Sequence, residues 1–147
     1  MKRIASTIGI LFLFTTTFTS CTKDNNSTSS SSGTMATSTI ITQGTWKVTY
    51  YNDGGSNETA NYTGYMFTFV SGGSAGAILG SVVTNGTWNT YNDSNDNKLY
   101  LSFGSTPPLS KLKADWHVVE ETSIKVRMED TTGGGSGTTD YLTLEKI

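Results

Sequence analysis

The stretch Thr45-Trp46-Lys47-Val48-Thr49-Tyr50-Tyr51, followed closely by Asp53-Gly54-Gly55, decides the fold of this chain. Its first six residues alternate between polar and large apolar side chains. Successive side chains of a β-strand point to opposite sides, so this alternation indicates a strand with one buried face and one face in water. We therefore predict that Trp46, Val48 and Tyr50 face the interior, and that the glycines form a tight turn into the next strand.

The same pattern continues to the end of the chain and predicts an all-β domain. Eight runs rich in β-branched and aromatic residues are predicted to be strands, at residues 46–51, 62–70, 77–83, 87–91, 99–103, 114–120, 123–129 and 141–145. The predicted turns are Asp53-Gly54-Gly55, Gly72-Gly73, Asn85-Gly86, Asp93-Ser94-Asn95-Asp96 and the glycine run at residues 133–137. No stretch keeps the 3.6-residue period of a helix, and the one helical turn that we predict lies at residues 109–113.

The order of these runs favours a small up-and-down antiparallel barrel of about eight strands over residues 40–147. Hairpins join neighbouring runs without a long crossover, and closing the sheet removes its exposed edges. Such a barrel is just wide enough to be filled by side chains or to hold one small ligand. The predicted interior is bulky, which favours a mostly filled barrel; it comprises Trp46, Tyr50, Phe67, Phe69, Trp88, Leu99, Leu101, Phe103, Trp116, Ile124, Met128, Leu142 and Leu144.

The N-terminal residues have the parts of an export signal. Lys2 and Arg3 precede an apolar run at residues 8–14, which ends well short of the ~20 apolar residues that span a membrane. Cys21, the only cysteine, stands where the mature chain would begin. This arrangement resembles the lipobox of bacterial lipoproteins, which implies that residues 1–20 are a signal peptide and that Cys21 is acylated after cleavage.

The segment after Cys21 is rich in Ser and Thr, and we predict that residues 21–39 are a flexible linker. The resemblance implies an outer-membrane lipoprotein of the bacterial cell envelope, on the periplasmic face or the cell surface. The formal net charge is -2 and no basic patch is present, which argues against nucleic acid as a partner and against docking on anionic lipid headgroups. Membrane contact is therefore expected through the lipid on Cys21.

No set of residues in the sequence suggests catalysis, a cofactor or a metal site. His117 is the only histidine and alternates outward between Trp116 and Val118, so it cannot begin a structural zinc site. The Asx-rich residues 92–97 lack the glycine and closing glutamate of a calcium loop, and a plain turn explains them. We predict that the protein is not an enzyme.

The domain resembles the lipocalin-like domains of bacterial lipoproteins. Gly44-Thr45-Trp46 opens the first strand as the Gly-X-Trp motif does in lipocalin-type barrels, and Gly86-Thr87-Trp88 repeats the motif. Phe67-Thr68-Phe69 followed by Gly72-Gly73 also fits the family's second strand and turn. The resemblance implies that Trp46 closes one end of the barrel.

Two functional hypotheses follow from these patterns. In the first, one barrel mouth binds a small apolar or amphipathic ligand through Trp46, Trp88 and Trp116. In the alternative, the barrel is filled and acts as an interaction module that contacts a protein or glycan in the envelope. Its contacts would come from residues 52–61, 92–97 and 133–137 and from the outward tyrosines Tyr51, Tyr91 and Tyr100.

Overall fold

The computed structural model describes residues 31–131 and 137–147, with side chains from residue 36 onward. These residues form helix α1 (Ser31–Ile41) and the strands β1 (Thr45–Asp53), β2 (Ser56–Asn57), β3 (Tyr65–Val70), β4 (Ser74–Leu79), β5 (Val82–Asp93), β6 (Asp96–Ser102), β7 (Ala114–Glu121), β8 (Lys125–Thr131) and β9 (Thr139–Lys146). Two 3₁₀ turns, Thr59–Tyr62 and Leu109–Leu112, complete the order. The predicted signal peptide at residues 1–20, Cys21 and most of the glycine run at residues 133–137 lie outside the described residues.

The strands form a closed antiparallel barrel, which confirms the predicted fold class. Eight strands, β1 and β3 to β9, pair each with its neighbour, and pairing between β1 and β9 closes the sheet. The short β2 adds a hairpin to the end of β1, at the predicted turn Asp53-Gly54-Gly55. The predicted helical turn is confirmed as the 3₁₀ turn Leu109–Leu112.

The barrel interior is filled by large side chains. Most of the predicted interior is buried, namely Trp46, Phe67, Phe69, Trp88, Leu99, Leu101, Phe103, Trp116, Met128, Leu142 and Leu144. These residues form one continuous cluster with Tyr51, Tyr62 and two leucines of the second 3₁₀ turn. The expectation of a mostly filled barrel is therefore confirmed for the described residues.

The prediction for Tyr50 and Tyr51 was wrong, because β1 contains a β-bulge. Its register with β9 shifts between Val48 and Tyr50. A bulge inserts one extra residue into a strand and so exchanges the faces of all residues after it. As a result Tyr51 is 1% exposed and lies in the core, whereas Tyr50 is 40% exposed.

Two further predictions were wrong near turns. Ile124 is 64% exposed because it precedes the start of β8 and lies in the turn from β7. Asn85-Gly86 is not a hairpin turn, since both residues lie inside the long strand β5. The actual turn is at Gly80-Ser81, within the run 77–83 that the alternation predicts to be a single strand.

Each end of the barrel is covered by a segment of the chain. At one end, α1 places Thr37 and Ile41 against the barrel, and Thr37 Oγ1 donates a hydrogen bond to Glu121 Oε2. The sequence predicts a flexible linker up to residue 39. This prediction was wrong for residues 31–39, which belong to helix α1. At the other end, Leu109 and Leu112 of the second 3₁₀ turn are buried.

Candidate functional site

The three tryptophans predicted to bind a ligand are all buried in the barrel. Trp46 Nε1 donates a hydrogen bond to Ile41 O at 2.8 Å, which joins the first strand to the end of α1. Trp116 Nε1 donates to Leu112 O at 3.0 Å in the second 3₁₀ turn. Trp46 and Trp116 therefore lie next to opposite ends of the barrel, where each holds a covering segment in place.

The end near the second 3₁₀ turn is also tied down by two tyrosines. Tyr51 Oη donates to Lys111 O at 3.0 Å, and Tyr62 Oη donates to Pro108 O at 2.9 Å. Burial, followed by the nearby Asp53 carboxylate, raises the pKa of Tyr51 to about 12. Burial also raises the pKa of Tyr62, so both hydroxyls remain protonated donors at neutral pH.

The rings of these residues form a packed aromatic row. The Tyr51 ring lies 5.2 Å from that of Tyr62 and 6.4 Å from that of Trp116, both in edge-to-face geometry. Such pairs contribute about 0.5–1.5 kcal/mol each beyond their buried area. The row occupies the space that a ligand would need at this end of the barrel.

Of the three predicted tryptophans, Trp88 lines two surface clefts. Two adjoining clefts of about 450 and 390 Å³ run between α1 and the β3–β4 turn. Their other walls are uncharged polar groups, including Thr42, Gln43 and Asn89. Trp88 Nε1 already donates to Val70 O at 3.0 Å, so the indole offers the clefts only part of its ring.

Two other residues discussed in the sequence analysis, Tyr91 and His117, have local structural partners. Tyr91 Oη donates to Asp115 Oδ1 at 2.7 Å, and this hydrogen bond raises the pKa of Tyr91 to about 12. On the barrel surface, His117 Nε2 lies 3.6 Å from Asp96 Oδ1, and His117 Nδ1 lies 3.7 Å from Glu129 Oε1.

Over residues 31–131 and 137–147, we find no group of three or more His, Cys, Asp or Glu side chains that could hold a metal ion. None of the helices in these residues is long and apolar enough to cross a membrane.

The barrel carries an exposed apolar surface that the sequence prediction missed. We call it the hairpin patch; it consists of Met66 on β3, the partly buried Ile78 and the exposed Leu79 on β4, and Val82 and Val83 on β5. Leu79 and Val82 pair with each other at the end of the hairpin, on the opposite face of the sheet from the other three. Val82 and Val83 are 65% and 59% exposed. Met66 lies opposite Ile78, and Ile78 lies opposite Val83, so these three side chains form a cross-strand row. A cleft of about 530 Å³ where β1 and β3 diverge borders the row at Met66.

A signal for this surface is present in the sequence. Residues 59–92 contain no Asp, Glu, Lys, Arg or His, although the chain has 10 Lys and Arg and 12 Asp and Glu in total. This uncharged stretch supplies β3, β4 and nearly all of β5. An exposed apolar patch within an uncharged face is typical of an interaction surface.

Asp130 and Asp140 form a like-charged pair, which leads to a prediction on stability. They lie directly opposite each other on β8 and β9. Burial and the Asp140 carboxylate raise the pKa of Asp130, so its ionisation opposes folding and the associated stability is lost as pH rises through that raised pKa. We expect Asp130→Asn to raise the free energy of unfolding at pH 7 by about 0.2–1 kcal/mol in urea titrations, and to have no effect at pH 3.

Glu120→Gln is the control variant, for which we expect the free energy of unfolding at pH 7 to change in the opposite direction. Lys125 Nζ lies 2.6 Å from Glu120 Oε1, and Arg127 Nη1 donates to Glu120 Oε2 at 2.9 Å. These contacts lower the pKa of Glu120, so its contribution to stability is present at neutral pH and is lost as pH falls through the lowered pKa. Glu120→Gln should therefore destabilise the protein at pH 7. A stabilising effect of both variants at pH 7 would contradict the assignment of Asp130.

Comparison with known proteins leaves the function open. No protein-family model matches the chain, and no curated protein matches its sequence. Among solved structures, the chain is similar to the 1.00 Å crystal structure of a duf4847 family protein from Bacteroides vulgatus ATCC 8482, with a TM-score of 0.49 and 16% sequence identity. The match covers 76% of this chain and 97% of that chain. Similarity at this level assigns no activity, substrate or partner to the present chain.

Proposed function

We propose that this protein is a lipid-anchored interaction module of the bacterial cell envelope. Its barrel is a rigid scaffold, and its outer surface contacts another protein. One observation carries the proposal: the described barrel is filled and covered at both ends, while the hairpin patch keeps Val82 and Val83 exposed. The proposal assigns the chain no catalytic step and no cofactor.

The location in this proposal rests on the N-terminal sequence. Acylation of Cys21 with two or more acyl chains would attach the chain stably to the outer membrane. Each CH₂ buried in the bilayer contributes about 0.8 kcal/mol to the free energy of membrane binding, so a single chain is not enough. Residues 22–30 separate Cys21 from the start of α1, and nine extended residues reach at most about 30 Å. The barrel would therefore stay close to the membrane that carries it.

Site-specific photo-crosslinking in cells tests this function. A photoreactive phenylalanine at position 83 should give adducts of discrete higher mass that contain a second polypeptide. The matched control is position 143 on β9, where Thr143 lies far from the patch in the barrel. In the same cells, the wild-type chain should sediment with membranes and the Cys21→Ser variant should not. Adducts that are absent at both positions, or equal at both, would contradict the role of the patch.

A second candidate function is supported by the clefts beside Trp88. An indole edge surrounded by hydroxyl and amide groups suits a small amphipathic or sugar-like ligand. Because Trp88 is largely buried and its Nε1 is already bonded to Val70 O, this candidate has less support than the interaction module. Trp46 and Trp116 do not line these clefts.

A further inference from the structure

Strand β5 has a free edge in its first half. Residues 82–87 pair with β4, but the pairing with β6 begins only at Thr87, opposite Ser102. In the register of the described residues, Val82, Val83, Thr84 and Asn85 therefore have a strand partner on one side only. Gly86 lies between this segment and the pairing with β6, and the Ser102 carbonyl and the Phe103 ring approach its backbone closely.

The residues of this edge lack two features that usually prevent pairing with another chain, namely a charged side chain and a proline. Natural proteins protect free edges with charged residues, proline, or covering loops. Residues 82–85 are Val, Val, Thr and Asn, and the nearest charged residues in the sequence are Glu58 and Asp93. The cross-strand row of Met66, Ile78 and Val83 leads directly to the edge.

We propose that the free edge at residues 82–85 pairs in antiparallel fashion with the same edge of a second copy of this chain. The pairing would join the two barrels through a continuous sheet across a twofold axis. This inference rests on the proposed function and names the partner at the hairpin patch. It assigns to the patch a homodimer contact of strand-addition type.

Charge and symmetry favour a second copy as the occupant. A twofold axis brings identical surfaces together, so any charge near the axis meets its own like charge. The uncharged stretch 59–92 removes that repulsion from β3, β4 and most of β5. The apolar row of one copy would continue into that of the other, which covers Val82 and Val83 and completes the hydrogen bonding of both edges.

Cysteine cross-linking of the full chain in cells tests the pairing. A twofold axis keeps each side chain on the same face of the sheet, so the axis must pass at Val83 or at Thr84, where the residue faces its own copy. Val83→Cys and Thr84→Cys test these two registers, and the oxidising envelope allows a disulfide to form across the axis. The matched control is Ile124→Cys, which is similarly exposed but lies at the turn before β8. We expect disulfide-linked dimers from position 83 or 84 and none from position 124. Their absence at both edge positions, or equal yields at position 124, would overturn the proposal.

A charge placed on the edge gives a second readout. In sedimentation equilibrium of the full chain in mild detergent, the wild type and Ile124→Lys should associate equally. Val83→Lys should weaken dimerisation at least about tenfold, because two like charges then face each other. The circular dichroism spectrum of the Val83→Lys variant must match that of the wild type. If the variant is not folded, Val82→Lys is used in its place. A wild type that stays monomeric, while position 83 cross-links to a different protein, would overturn the dimer and leave the proposed function standing.

Discussion

Trp46→Ala is expected to lower the free energy of unfolding by about 3–5 kcal/mol, the largest loss that we expect from truncating a side chain in this protein. The indole is fully buried, and its Nε1 donates to Ile41 O at 2.8 Å. Lys146 Nζ lies 5.8 Å from the ring centroid and covers it from the end of β9. Removing the ring would create a cavity and would take away the hydrogen-bond donor to the Ile41 carbonyl. It would also remove the bond that holds the end of α1 against the barrel. Urea unfolding followed by circular dichroism measures this change.

Tyr50→Ala is the matched control, because it removes an aromatic side chain from the same strand. Tyr50 is 40% exposed on the outer side of the bulge, so its truncation should cost less than about 1 kcal/mol, as is usual for surface positions. Equal losses for the two variants would contradict the bulge in β1, and with it the assignment of Tyr51 to the core.

The filled barrel could be predicted from the sequence because strands such as β6 alternate strictly between buried and outward residues. Leu99 and Leu101 are buried, and Tyr100 between them is not. Where alternation holds, the face of each residue follows from its position alone. Tyr50 and Tyr51 are different, because a bulge depends on how β1 pairs with β9, whose residues lie about ninety positions away. No local pattern in β1 announces that shift.

Helix α1 could not be predicted for a related reason. Ser and Thr have weak helix propensity, since their side chains compete for backbone hydrogen bonds. The helix depends on contacts with distant residues: Asn97 Nδ2 donates to Thr37 Oγ1 at 2.7 Å, and Trp46 bonds to Ile41. The hairpin patch was missed because Asn85-Gly86 has a stronger turn signature than Gly80-Ser81, which placed the β4–β5 turn too late.

Gly86→Ala is the second change with a large expected effect. Gly86 has no positive φ, so its requirement for glycine is steric and not conformational. A Cβ at this position would overlap the Ser102 carbonyl oxygen and lie 2.5 Å from Phe103 Cδ1. The backbone of β6 cannot yield without breaking its pairing with β5. We expect Gly86→Ala to lower the free energy of unfolding by about 3 kcal/mol or more, as measured by urea titration.

Gly76→Ala separates this steric effect from the general cost of a change at a strand glycine. Gly76 lies on β4 opposite Asn85, and its added Cβ would come 3.1 Å from Thr68 Oγ1, a side-chain end that can rotate away. Gly76→Ala should therefore cost much less than Gly86→Ala. If the two variants were equally stable, β5 and β6 would not approach each other so closely at Gly86.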